Sequence, residues 1–219
     1  MEIDENLNIT NSFEKEIFNK TFNLSIDYGE IAIDVITTSE VLKVIPGLKT
    51  MATFYDIASS INSRYNFKKI LVFLQQFHSQ KININALEKF RIKINNDSKY
   101  RQELLETTLI LIEKFTDLEK SRILANLLIA HINDDLTWSD YCTIAFIVNQ
   151  LNPSGYISLI KHCNKEVKIP MGMREYIEGE SFLIACGIGN KFEDQLKITI
   201  SGARLYKYGL KSLEQKYCT

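Results

Sequence analysis

DSKYRQELLETTLILIEKFTDLEKSRILANLLIAH, Asp97 to His131, is the stretch whose reading decides the fold. Leu104, Leu105, Thr108, Leu111, Ile112 and Phe115 recur at three and four residues, and so do Leu118, Ile123, Leu124, Leu127, Leu128 and His131. That spacing predicts two amphipathic helices, read as a hairpin packed back to back. Between them Thr116 and Glu119 have the spacing of a capping box, which places a helix start at once after the previous helix stops. The run from Ile123 to Asn133 is apolar around most of its circumference, as in a helix enclosed by others.

Working outward, Asp97 is the expected cap of this hairpin, and residues 83–95 fit a short helix with Leu87, Phe90 and Ile94 inward. Before it, Phe67, Ile70, Leu71, Phe73, Leu74 and Phe77 form a strongly apolar helix edged by Arg64, Lys68 and Lys69. Leu48, Met51, Ala52, Tyr55, Ala58 and Ser59 precede that helix as a small-residue face. Pro46 and Gly47 end a helix predicted over 28–44. Asn11 or Ser12 is the expected cap of a first helix running to Lys20, with Phe13, Ile17 and Phe18 on its apolar edge.

Beyond the hairpin, Thr137 and Asp140 repeat the capping-box spacing and open a helix to about Gln150 that buries Ile144, Ile147, Val148 and Leu151. Trp138 is expected to anchor it. After Asn152-Pro153 the texture changes. PSGYISLIKHC reads as a short helix, and another follows around IPMGMREYIEG. The apolar run FLIACGIG and the alternating LKITI read as two strands joined by a polar turn, Asn190 to Gln195. SGARLYKYGLKSLEQK then reads as a closing helix, with Leu205, Tyr208 or Gly209, and Leu213 spaced for packing. The expected fold class is therefore mainly α. A multi-helix bundle over 1–152 is followed by a small α+β, winged-helix-like unit over 153–219, with the polar turn as its wing.

Composition narrows the function classes. Of 219 residues only three are proline and nine glycine, which favours long helices, and the net charge of -1 gives no global attraction to nucleic acid or anionic lipid. Charge is segregated along the chain. Residues 1–40 hold nine acidic against two basic side chains, and residues 41–101 hold eleven basic against three acidic. Either the two segments lie against each other or the second presents a basic partner surface. The acidic start MEIDENLNIT has no feature of an export or transit signal, so the expected location is cytoplasmic and the four cysteines are expected as thiols. Tyr141 to Ile160 lacks charge but contains Asn149, Gln150, Asn152 and Pro153, which rules against a membrane span.

No catalytic pattern is present. Gly187-Ile188-Gly189 lacks the third glycine and following helix of a dinucleotide site, and there is no P-loop, nucleophile elbow or H-E-x-x-H. Asp134-Asp135 has no third ligand at useful spacing. His78, His131 and His162 are scattered, and His162 and Cys163 point about 100° apart on a helix. No cofactor, metal or small-molecule substrate is expected.

The segments LIEKFTDLEKSRILANLLIAHI (111–132), DYCTIAFIVNQLNPSGYISLI (140–160) and LIACGIGNKFEDQLKITISGARLYKYGL (183–210) together resemble abortive-infection alpha-type proteins of bacteria. In that family a helical region is followed by a winged-helix-like end. VLKVIPGLKTMATFYDIASSINSRYNFKKILVFL (41–74) further resembles a motif of uncharacterised bacterial proteins. The likeness rests on apolar spacing over about 41–210 and carries no active-site residue. It implies a setting in phage defence.

The sequence reading is thus a non-enzymatic bacterial interaction or regulatory protein, with Arg64, Lys68 and Lys69 as its partner-binding edge and a protein partner or a second copy as its ligand. A winged-helix DNA-binding regulator is the first alternative. There the groove helix near 171–179 carries Arg174 against Glu175, Glu178 and Glu180, and the cations to test are Lys197, Arg204, Lys207 and Lys211. A membrane-active effector using residues 48–77 for peripheral contact is the second.

Overall fold

The computed structural model describes residues 2–18, 52–53, 60–164, 179–192 and 195–217. The helix predicted over 28–44, most of the small-residue face at 48–59, and the groove helix near 171–179 lie outside these residues. The protein is mainly α-helical with a small α+β unit toward its C-terminus, as the sequence predicts. It divides into two compact units, Met1–Ala125 and Asn126–Thr219. The division falls inside a helix, ahead of the change of sequence texture at 152–153.

The first unit holds α1 (Glu2–Phe18), α2 (Ile61–Ser79), α3 (Ile84–Asn96), α4 (Ser98–Lys114) and the first half of α5 (Leu118–Ile132). Helix α4 is its hub. It approaches α1, α2 and α3 closely, so helices surround α4 beyond its hairpin neighbour. In α2, Phe67, Ile70, Val72 and Phe73 are fully buried. Truncating one such side chain to alanine costs about 2–5 kcal/mol.

Helix α1 begins earlier than expected, with Asn11 and Ser12 inside it. Ile9, Phe13 and Ile17 recur at four residues and are buried, so the apolar stripe extends a turn beyond the polar pair. Charge segregation is partly resolved by contact. Arg101 pairs with Glu14 at 3.8 Å, Arg91 donates to the Phe18 carbonyl, and the His78 ring lies 2.8 Å from the Glu16 carbonyl.

Helix starts follow capping chemistry. Ser60, Asn83 and Asp97 accept backbone N–H groups at the heads of α2, α3 and α4. Asp97 also closes α3 by donating its own N–H to the Lys93 carbonyl. Helix α5 corrects the sequence reading. Its head is capped by Asp117, whose Oδ1 accepts the Lys120 N–H at 3.0 Å, while Glu119 pairs with Arg122 at 3.1 Å. A carboxylate one residue closer to the helix outcompetes the Thr116 hydroxyl.

The second unit continues α5 and adds α6 (Trp138–Gln150), α7 (Pro153–Cys163), α8 (Glu180–Ala185) and the antiparallel pair β1 (Gly189–Phe192) and β2 (Gln195–Ile198). It closes with α9 (Ile200–Arg204), a π-helical turn Leu205–Leu210 and a 3-10 turn Lys211–Lys216. The expected box at Thr137 and Asp140 forms in both directions, and Asn152 caps α7 with Pro153 in its first turn. The predicted first strand does not hold. Residues 182–185 of the apolar run are helical, and the strand begins only at Gly189, so residues 190–192 and 195 of the expected wing turn are strand. Gly189 sits where a Cβ would lie 2.9 Å from a terminal methyl of Leu196, so a larger residue at this crossing requires that side chain to shift.

The closing helix also departs from prediction, changing from α to π to 3-10 within seventeen residues, 200–216. Leu205 and Leu210 are both fully buried. They are five residues apart, and i→i+5 bonding brings that spacing onto one face. Gly202 is required here, because a Cβ would stand 2.6 Å from the Ile188 carbonyl oxygen.

Candidate functional site

The three cations proposed as a partner-binding edge do not share one surface. Arg64 is exposed and Lys68 half-buried. Lys69 is 2% exposed and turned into the first unit. Its Nζ donates to the carbonyls of Glu113 and Phe115 at 2.6 and 2.9 Å. One turn earlier Tyr65 donates its hydroxyl to the Thr116 carbonyl at 3.1 Å. Helix α2 therefore uses two side chains, four residues apart, to satisfy the carbonyls that α4 leaves at its C-terminus. Burial, opposed only in part by the Glu113 carboxylate, lowers the Lys69 pKa to about 8. Of the apolar side chains of 60–77, Phe67, Ile70, Leu71, Val72, Phe73, Leu74 and Phe77 are likewise in the core, at most 6% exposed, while Ile61 is exposed. No helix of the described residues is long and apolar enough to cross a membrane.

The four C-terminal cations have distinct surroundings in the second unit. Arg204 is bound to Asp140, the residue that also closes the capping box of α6. The Thr137 hydroxyl first, with Arg204 adding to it, holds the Asp140 carboxyl below the usual range. Lys207 donates to its neighbour Tyr208 at 2.9 Å, which raises its pKa. Lys211 is exposed. Lys197 lies over the ring of Phe192, 4.0 Å from its centroid.

That last contact marks a surface. The register pairs Asn190 with Lys197 and Phe192 with Gln195, so these four side chains share one face of the ribbon. All four are exposed, Phe192 by 54%, while on the opposite face Gly189 is buried, Leu196 and Ile198 are half-buried and Lys191 is exposed. The outer face thus offers an aromatic ring, a cation and two amides, a set suited to holding a ligand by stacking and hydrogen bonding. Phe192 was not singled out in the sequence because it falls in the stretch read as a polar turn. Only the strand register, which sets Phe192 opposite Gln195, places it on the outer face.

His131, His162 and Cys163 have structural surroundings. His131 places Nδ1 2.8 Å from the Leu136 carbonyl and lies among Trp138 and Tyr141, so Trp138 does anchor this corner. His162 contacts the Ser158 carbonyl at 2.9 Å and the Glu180 carboxylate at 3.1 Å, away from Cys163. Burial, with Glu214 adding to it, pushes the Cys163 thiol up to about 11, unsuited to a thiolate nucleophile. Asp134 takes a left-handed turn with φ of 62° after α5, and Asp135 donates its N–H to the Ala130 carbonyl. Among the described residues no three His, Cys, Asp or Glu side chains are grouped to hold a metal ion.

The chain matches no protein-family model, no curated protein and no solved structure.

Proposed function

We propose that this chain is a non-enzymatic interaction or regulatory protein that engages a protein partner through the outer face of its β-hairpin. The observation that carries this reading is the exposed Phe192, held under Lys197 on a face with no buried side chain. Aromatic side chains are over-represented among the residues that dominate binding energy at interfaces. The setting implied by the family resemblance is phage defence.

A nucleic-acid reading draws on the same hairpin together with Lys207 and Lys211. Against it stands Arg204, whose charge is matched by Asp140. Purification of the tagged full chain from its host, beside a Phe192→Ala variant, separates the two. A protein that accompanies the parent and is lost at least tenfold with Phe192→Ala supports the leading reading. Retention of that protein by the variant overturns it. Recovery of duplex DNA whose affinity falls steeply with salt favours the second reading.

A further inference from the structure

Two neighbouring helices of the first unit carry exposed stripes of opposite charge. Helix α3 turns Phe90 and Ile94 inward and leaves Lys89, Ile92 and Lys93 outside, with Ile92 61% exposed. Helix α4 buries Leu104, Leu105, Thr108 and Ile112 and leaves Glu103, Glu106, Ile110 and Glu113 along one outer stripe, with Ile110 49% exposed. Glu88 borders Lys89, and Lys99 and Lys114 stand at the two ends of the acidic stripe. The contrast of sign is therefore concentrated in the middle turns, around the two isoleucines. The helices are close neighbours in one unit, joined through Asp97.

We propose that these stripes form a two-fold interface with a second copy of this chain, α3 of one protomer lying on α4 of its partner and the reverse. A two-fold interface needs a patch complementary to itself. A basic stripe and an acidic stripe on adjacent helices meet that need when the rotation sets each against the other. Apposition covers Ile92 and Ile110 as an apolar centre, and the lysine and glutamate rims fix the register. A foreign partner of one sign would fit one stripe and be repelled by the other. The interface is separate from the β-hairpin, so either can fail without the other.

Sedimentation equilibrium of the full chain tests this with two double variants, Lys89→Glu with Lys93→Glu, and Glu103→Lys with Glu106→Lys. The parent is expected as a dimer that weakens with salt. Each double variant alone dissociates at least about tenfold more readily, because like charges then oppose across the axis. An equimolar mixture of the two restores the dimer, since each chain then has two stripes of one sign. Ile92→Ser, which changes no charge, weakens the dimer in the same way. A monomeric parent at the highest soluble concentration overturns the proposal. So does a dimer indifferent to either double variant, or a mixture that stays monomeric.

Discussion

At position 69 a lysine occupies a place that the surrounding residues make apolar. Lysine is almost never fully buried unless partnered, so reading it as a solvent-facing cation is the reasonable expectation. Its helical phase tells otherwise, because Asn66, Phe73 and Gln76 lie on the same side of α2 and are buried. What no phase argument supplies is the partner, two carbonyls about forty-five positions away in sequence. The sign of the pH effect follows from the lowered pKa of about 8 against 10.5. Between those values the unfolded chain binds more protons than the folded one, so the lysine's contribution to stability rises with pH across that window. Below pH 8 its burial penalty is fully present, and above 10.5 it is gone. Urea titrations of the parent and of Lys69→Met are expected to differ by an amount that shifts in the parent's favour by roughly 3 kcal/mol across this window. A constant difference would show that Lys69 is not buried as a titrating amine.

Among the elements, starts were easier to read than ends. Asp97, and Thr137 with Asp140, cap their helices as their side chains suggest, since an N-cap is a local event. At the head of α5, Thr116 and Asp117 are both good caps, and only the helix phase chooses Asp117. The closing segment was harder, since its change from α to π winding depends on a distant residue. Asn126, on α5, donates its amide to the Gly209 carbonyl at 2.8 Å and to Ser212 Oγ at 3.0 Å, where the π turn gives way to 3-10 helix. An irregular turn frees carbonyls from their usual partners, and a buried one left unmet costs about 1–3 kcal/mol. Asn126→Ala is accordingly expected to lower unfolding free energy by about 2 kcal/mol in urea titration. A change below about 0.5 kcal/mol, the range of ordinary surface substitutions, would show that the amide does not hold the turn.

For the molecule as a whole, the mainly α architecture was legible because few glycines and prolines interrupt long apolar periodicities. The hydrophobic pattern says which residues are inside but not which helix they meet, and so the close approach of α1, α2 and α3 to α4 was not legible. The binding face was not legible, because its four residues are unremarkable until the register places them side by side. The net charge of -1 and the segregated charges raise the question of how much electrostatics holds the chain together. The Arg101–Glu14 pair is long and 40% and 19% exposed on its two sides, the geometry of a pair worth little. Stability resides in the apolar core instead. At a concentration where the chain is monomeric, raising monovalent salt from low to about 0.5 M, where screening shortens to a few ångströms, is expected to change the unfolding free energy by less than about 1 kcal/mol. A larger loss, followed by circular dichroism, would assign charge a structural part that these contacts do not.

Asp97 serves α3 as its C-cap and α4 as its N-cap, leaving nothing to spare between them. Such a joint has no slack in which to absorb a change of length. One inserted amino acid would leave both rods individually intact but turn the second by about 100° about its own axis. Its greasy side would then swing toward water and its glutamates toward the interior. Lineages of this chain can therefore vary the residues on these rods far more freely than the number of positions between them.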